Sequence, residues 1–152
     1  MRIHTIMRSP VFTVAEHTPL PHASAMMQGQ GIRHLPVLRG RKGVGILTER
    51  DIQRAMPSTV SALARYEWPA LLERLSVTEV ATQPVLAVTP RVRVQEAARV
   101  MVERQRTGLP VLDEGDLVGL VTTTDMLNLL IRLLEARQPP GFGEILVAVD
   151  VD

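Results

Sequence analysis

Two seven-residue stretches repeat a threonine and an aspartate at one spacing: Gly45-Ile46-Leu47-Thr48-Glu49-Arg50-Asp51 and Gly119-Leu120-Val121-Thr122-Thr123-Thr124-Asp125. In each, an apolar run ends at the threonine and a helical pattern begins. A threonine N-cap with an acid three residues on is a capping box, which stabilises a helix start by about 1 kcal/mol. The same arrangement also suits a nucleotide. A helix N-terminus offers amides to a phosphate, the hydroxyl adds a donor, and the carboxylate can accept two hydrogen bonds from a ribose diol. The two readings are compatible.

Other chemistry-bearing residues are sparser. His4, His17, His22 and His34 show no metal-ligand spacing, so no metal site is expected. The absence of cysteine removes disulfides, thiolate zinc sites and cysteine nucleophiles. No serine–histidine–acid set or glycine-rich phosphate loop is present, and no catalytic residue is named. Arg39, Arg41 and Lys42 read as a solvated charged turn, with phosphate steering as the alternative. Met7, Met26, Met27 and Met101 read as core.

The elements that position the Thr–Asp pairs recur with them. At an offset of 74, Leu35-Pro36-Val37-Leu38 matches Leu109-Pro110-Val111-Leu112, Pro10-Val11 matches Pro84-Val85, and Ala23 and Met27 match Ala97 and Met101. Missing such a repeat would miscall the fold. Each unit reads strand–helix–strand–strand–helix. A first strand covers Val11–Val14 or Val85–Val88. Thr18 and Pro19 read as N-cap and first helical residue of the helix that follows in the first unit. In the second, Val94, Ala97, Ala98, Met101 and Val102 fall at helical spacing. The hairpins are Leu35–Leu38 with Val44–Leu47 and Leu109–Leu112 with Val118–Val121. A unit of roughly 50 residues buries its own core poorly, so an α/β (α+β) pair packed sheet to sheet about a pseudo-twofold axis is expected. Residues 1–56 form the first repeat, 57–76 a helical linker whose Trp68, Leu71, Leu72 and Leu75 should dock, 77–135 the second repeat, and 136–152 a tail with a strand pattern over 145–151.

Composition limits the function classes. The chain has 152 residues, 45% of them hydrophobic and 22% charged, enough for a packed core. Lys and Arg total 17 against 16 Asp and Glu, a balance that argues against nucleic-acid binding. Four aromatics, Phe12, Tyr66, Trp68 and Phe142, are too few for base-stacking platforms. Short apolar runs and the lack of a signal-peptide pattern lead to the expectation of a cytoplasmic protein that crosses no membrane.

Ile32-Arg33-His34-Leu35-Pro36-Val37 and Thr107-Gly108-Leu109-Pro110-Val111, each followed by the Gly-x-x-Thr-x-x-Asp stretch, resemble a cystathionine-β-synthase (CBS) domain pair, or Bateman module. The resemblance covers about residues 1–135. The linker and the tail Ala136-Arg137-Gln138-Pro139 are further similar to the acetoin-utilisation type of bacterial CBS proteins, in which an ACT domain follows. Residues 144–151 would then be that domain's first strand, either cut short or never completed.

The resemblance implies two ligand clefts. The first would use Thr122, Thr124 and Asp125 with Met7, Phe12, Ile32, Arg33 and Thr107. The second would use Thr48, Arg50 and Asp51 with Ala81, Leu86, Arg106 and Thr107. Ala81 stands where the first repeat has Met7, and Arg50 and Arg106 replace smaller residues, either to bind a polyphosphate tail or to fill the second cleft, so the first is expected to bind better. The implied function is a non-catalytic regulatory module, without cofactor, that binds AMP, ADP, ATP or S-adenosylmethionine and signals by changing shape to a partner yet to be named. A homodimer is implied, built on the helix faces of Leu20, Ala23 and Met27, of Val94, Ala97 and Met101, and on the second helices. The alternative is a ligand-free dimerisation or partner-docking module.

Overall fold

The computed structural model describes residues 1–55, 70 and 72–137. Trp68 and Leu71 of the linker face and the strand pattern over 145–151 lie outside the described residues. The first unit contains β1 (Val14–Ala15), α1 (Leu20–Gln30), β2 (His34–Arg39), β3 (Lys42–Thr48) and α2 (Glu49–Ala55). The second has α3 (Val77–Val80), α4 (Val94–Glu103), β4 (Gly108–Asp113), β5 (Asp116–Thr122) and α5 (Thr123–Glu135). A short 3₁₀ turn, Ile3–Thr5, opens the chain.

The repeated Leu-Pro-Val forms the same hairpin twice, with Leu35 opposite Leu47, Leu109 opposite Val121, and a register shift after Val37 and after Val111. Proline inside these strands follows from their edges. The Pro110 carbonyl accepts from the Val88 N–H, so its ring nitrogen faces an edge where the ladder is a single bridge, Val88 to Val111. No bond to β5 is lost. The strands run in the order β1-β2-β3-β5-β4, and the two hairpins join at Lys42 opposite Asp116. The turn read as solvated is engaged there. Arg41 and Lys42 pair with Asp116 of the other unit, and Arg39 grips both Glu16 oxygens at 2.8 Å. That guanidinium holds the Glu16 carboxyl below the usual carboxylate range.

The pseudo-twofold relation extends to single hydrogen bonds. Ile3 N–H donates to Val92 O as Val77 N–H donates to Thr18 O. Arg8 and Leu120 exchange a bonded pair as Thr82 and Ile46 do. These bonds carry each unit's leading segment onto the other unit. Ile3, fully buried, belongs to the second core with Ala97, Leu109, Val111 and Val121. Val77, likewise fully buried, belongs to the first with Leu20, Leu35, Val37 and Leu47. Leu72 and Leu75 of the linker pack on that first core.

The exchange explains where the sequence reading departs from the structure. The first strands shrink to Val14–Ala15 and the bridge at Val88, because the residues before them are drawn to the opposite hairpin at Arg8–Leu120 and Thr82–Ile46. Thr18 makes no side-chain cap. Its carbonyl receives Val77, and α1 starts after Pro19. The α1 and α4 faces expected at a dimer interface are consumed internally, since Leu20, Ala23, Met27, Val94, Ala97 and Met101 are all buried. Val102 of α4 is exposed, and the largest run of exposed apolar side chains among the described residues is on α5, at Leu127, Leu130, Ile131, Leu133 and Leu134. Met26 is also exposed, so it is not a core methionine, while Met7 packs on the second core.

Removing a buried isoleucine side chain down to alanine costs about 2–5 kcal/mol. Ile3→Ala should therefore lower the melting temperature and speed amide hydrogen exchange in β4 and β5 more than in β2 and β3. Equal acceleration in both hairpins would contradict the exchanged packing.

Candidate functional site

Where the two units meet, a cavity of about 860 Å³ opens between the hairpins. Four pieces build it. The N-terminal segment contributes Arg8 and Phe12, and the start of β2 contributes Ile32, Arg33 and His34. Thr48, Glu49, Arg50, Asp51 and Arg54 come from the end of β3 and from α2. The turn before β4 and the start of α5 bring Arg104, Arg106, Thr107, Thr122 and Thr124. Gly31, at φ +61°, ends α1 in the left-handed conformation that turns the chain toward Ile32. Its counterpart Gln105 takes φ +51° and aims Arg106 in the same way.

Both Thr–Asp pairs are capping boxes. Asp125 Oδ2 accepts from Thr122 N at 2.8 Å and from Thr122 Oγ1 at 2.7 Å. Asp51 Oδ2 accepts from Thr48 N and Oγ1, both at 2.8 Å. Their outer oxygens differ. Asp125 Oδ1 receives Arg8 Nε at 2.9 Å, whereas among the described residues Asp51 Oδ1 has only the Thr82 hydroxyl at 3.4 Å. A ribose can reach Asp125 only after Arg8 leaves it. Asp51 borders the cavity directly, and this geometry runs against the expected advantage of the first cleft. The amides opening α5 are also largely committed. Thr123 donates to Thr107 O and Asp125 to Thr122 Oγ1, leaving the Thr124 N–H without a partner among the described residues.

Of the residues expected at the site, the cavity gathers Phe12, Ile32, Arg33, Thr107, Thr122 and Thr124 from the first set. From the second set it gathers Thr48, Arg50, Asp51 and Arg106. The two expected clefts are thus continuous. Met7, Ala81 and Leu86 do not line it. The Met7 thioether covers Gly119, where a Cβ would come within 2.8 Å of its sulfur. Ala81 packs on the first core and Leu86 on the second. Asp125 stands behind Arg8, buried. Sequence reasoning missed Arg8, Arg54 and Arg104. Each had a signal: Arg54 lies one helical turn after Arg50, Arg104 two residues before Arg106, and Arg8 beside the named Met7.

His34 marks the axis itself. Its pseudo-twofold mate is Gly108, and the imidazole lies so close over that glycine that a Cβ there would be 2.6 Å from the ring. His34 Nε2 is hydrogen-bonded to Thr107 Oγ1 at 2.8 Å, across the two units. Among the described residues, no three histidines or acids come together as metal ligands.

The CBS domain family matches residues 3–58 and 77–132, both halves of the repeat. The chain belongs to the CBS domain family. It is 27% identical to an acetoin utilization protein of Vibrio cholerae, with 92% of this chain and 98% of that one covered and a TM-score of 0.72. It is 25% identical to the CBS domain pair of protein MJ0100, crystallised with 5′-methylthioadenosine and S-adenosyl-L-methionine, with 91% and 98% covered and a TM-score of 0.69. An inosine-5′-monophosphate dehydrogenase of Korarchaeum cryptofilum shares 32% identity over 126 residues, 82% of this chain and 23% of the enzyme. The chain therefore spans about a quarter of that relative.

Burial first, and then the Arg33 charge, hold the His34 imidazole below its ordinary value near 6.5. The unfolded chain takes up this proton more readily than the folded one, so His34 removes stability as the pH falls below 6.5. His34→Gln should flatten the fall in melting temperature between neutral and mildly acidic pH. The same slope in parent and variant would contradict the assignment.

Proposed function

We propose that the chain is a non-catalytic regulatory module that binds an adenosine-containing ligand, among AMP, ADP, ATP and S-adenosylmethionine, at the junction of its CBS repeats. The observation that carries this reading is the cavity of about 860 Å³ bordered by helix starts and strand ends of both units. Thr122 and Thr124, with Asp51 and with Asp125 once Arg8 has moved, supply donors and acceptors for phosphate and ribose. Phe12 and Ile32 offer an apolar wall for adenine. A ligand touching both units favours one relative placement of them, and a regulated partner would read that shift. The ligands of the MJ0100 pair support the adenosine class.

Further parts of the reading are a homodimer joined through the exposed α5 face and a bacterial, cytoplasmic setting. Leu127, Leu130, Ile131, Leu133 and Leu134 support the dimer, as an apolar patch of this kind marks an interaction surface. Among the described residues no helix is long and apolar enough to cross a membrane. A second reading, a ligand-free structural module, is favoured by one observation: both aspartates serve capping boxes, and Arg8 also occupies the outer oxygen of Asp125.

Thermal melting with each ligand separates the two. A ligand at a hundredfold excess over its Kd stabilises by about 2.7 kcal/mol, and at least one of the four should do so. Asp51→Ala should keep the fold, at about 1 kcal/mol for the lost cap, and weaken binding roughly ten- to a hundred-fold. No ligand-dependent shift would favour the structural module, and unchanged affinity in the variant would remove Asp51 from the ligand contacts.

A further inference from the structure

We propose that the cavity selects an adenosine ligand carrying two or more phosphates, held as one molecule across the pseudo-twofold axis, over AMP and over the sulfonium-bearing S-adenosylmethionine. This rests on the adenosine reading of the same cavity. Six arginines border it, Arg8, Arg33, Arg50, Arg54, Arg104 and Arg106, against two carboxylates, Glu49 and Asp51. Arg8 is paired with Asp125; among the described residues the other five make no ion pair. Asp51 already gives one oxygen to Thr48. The chain as a whole is nearly neutral, with a formal charge of +1, so the cluster is a local feature and not a consequence of composition.

The repeat supplies an internal control. At the offset of 74, the mates of these arginines are Thr82, Thr107, Thr124, Asn128, Gln30 and Ile32, all uncharged. Each unit therefore builds the fold without a cation where the other has an arginine, so the fold does not demand them. The lining is chemically mixed. Arg50 and Arg54 come from α2 and Arg104 and Arg106 from the turn before β4, while Phe12, Ile32, Thr122 and Thr124 add a neutral and partly apolar side, with Arg8 and Arg33 beside it. A nucleoside suits the neutral side, and a chain of phosphates extending from it meets the arginines. The committed amides at the start of α5 leave one free N–H for an anion, so the guanidinium groups are the principal phosphate donors. Arginine binds phosphate oxygens in bidentate pairs, and like charges crowded in a concave site attract a polyanion far more than a monoanion. A cationic sulfonium gains nothing there. The volume of about 860 Å³ accommodates a nucleotide with an extended tail.

Calorimetry on the full chain with AMP, ADP, ATP and S-adenosylmethionine, at low and at physiological ionic strength, tests this. ATP should bind at least about tenfold more tightly than AMP, the equivalent of one charge-assisted contact, with one molecule per chain. Its affinity should fall more steeply with salt. The double substitution Arg104→Gln/Arg106→Gln, at exposed positions and checked for an unchanged melting temperature, should bring the ATP-to-AMP ratio toward one. AMP or S-adenosylmethionine binding as tightly as ATP, or a ratio unmoved by the double substitution, would overturn the selection for polyphosphate and leave the adenosine reading intact. Binding of none of the four would overturn the adenosine reading itself.

Discussion

Ile3 sits in the core of the second unit and Val77 in the core of the first, and the rest of the molecule is arranged around that exchange. A unit of about 50 residues cannot bury enough apolar surface by itself. Here each unit's leading segment closes the other's core, so neither is complete alone. The same crossing bonds that seat Ile3 and Val77 lay the Arg8 strand on Leu120 and the Thr82 strand on Ile46. Those two backbone contacts hold the N-terminal segment beside β5 and leave the cavity open between the hairpins. The functional site is a by-product of how the cores are sealed.

Within that symmetric frame the side chains are not symmetric. His34 covers Gly108 at the axis, where two large residues could not both fit. Arg8 takes the outer oxygen of Asp125, whereas Thr82 only approaches that of Asp51. A duplicated backbone has thus been given different chemistry at matching positions, each cavity arginine of one unit being matched by an uncharged residue in the other. Interactions shared by both halves, such as the capping boxes and the Leu-Pro-Val hairpins, serve the fold. The differences between them are where the proposed ligand selection would reside.

Much of this was legible in the sequence, because it depends on local pattern. The offset of 74 located both hairpins, and the Thr–Asp spacing named caps that form as read. Phe12, Ile32, Arg33, Thr48 and Arg106 do line the cavity. What escaped was set by contacts distant in sequence. Thr18 reads as an N-cap from its neighbours alone, yet its carbonyl is needed by Val77. Met7 and Ala81 occupy matching positions and both turn to cores, since each rides on a segment sealing the opposite unit. Arg54 and Arg104 are marked locally only by their spacing from Arg50 and Arg106, and it is their convergence from two units that makes them cavity arginines.

The central claim is that one adenosine ligand occupies the junction of the two repeats. Backbone chemical-shift mapping of the isotope-labelled chain during titration with ATP tests it most directly. Perturbations should concentrate at residues 8–12, 31–34, 48–54, 104–108 and 120–124, with both units responding at the same ligand concentration. Perturbations confined to one unit, or centred away from these segments, would contradict it.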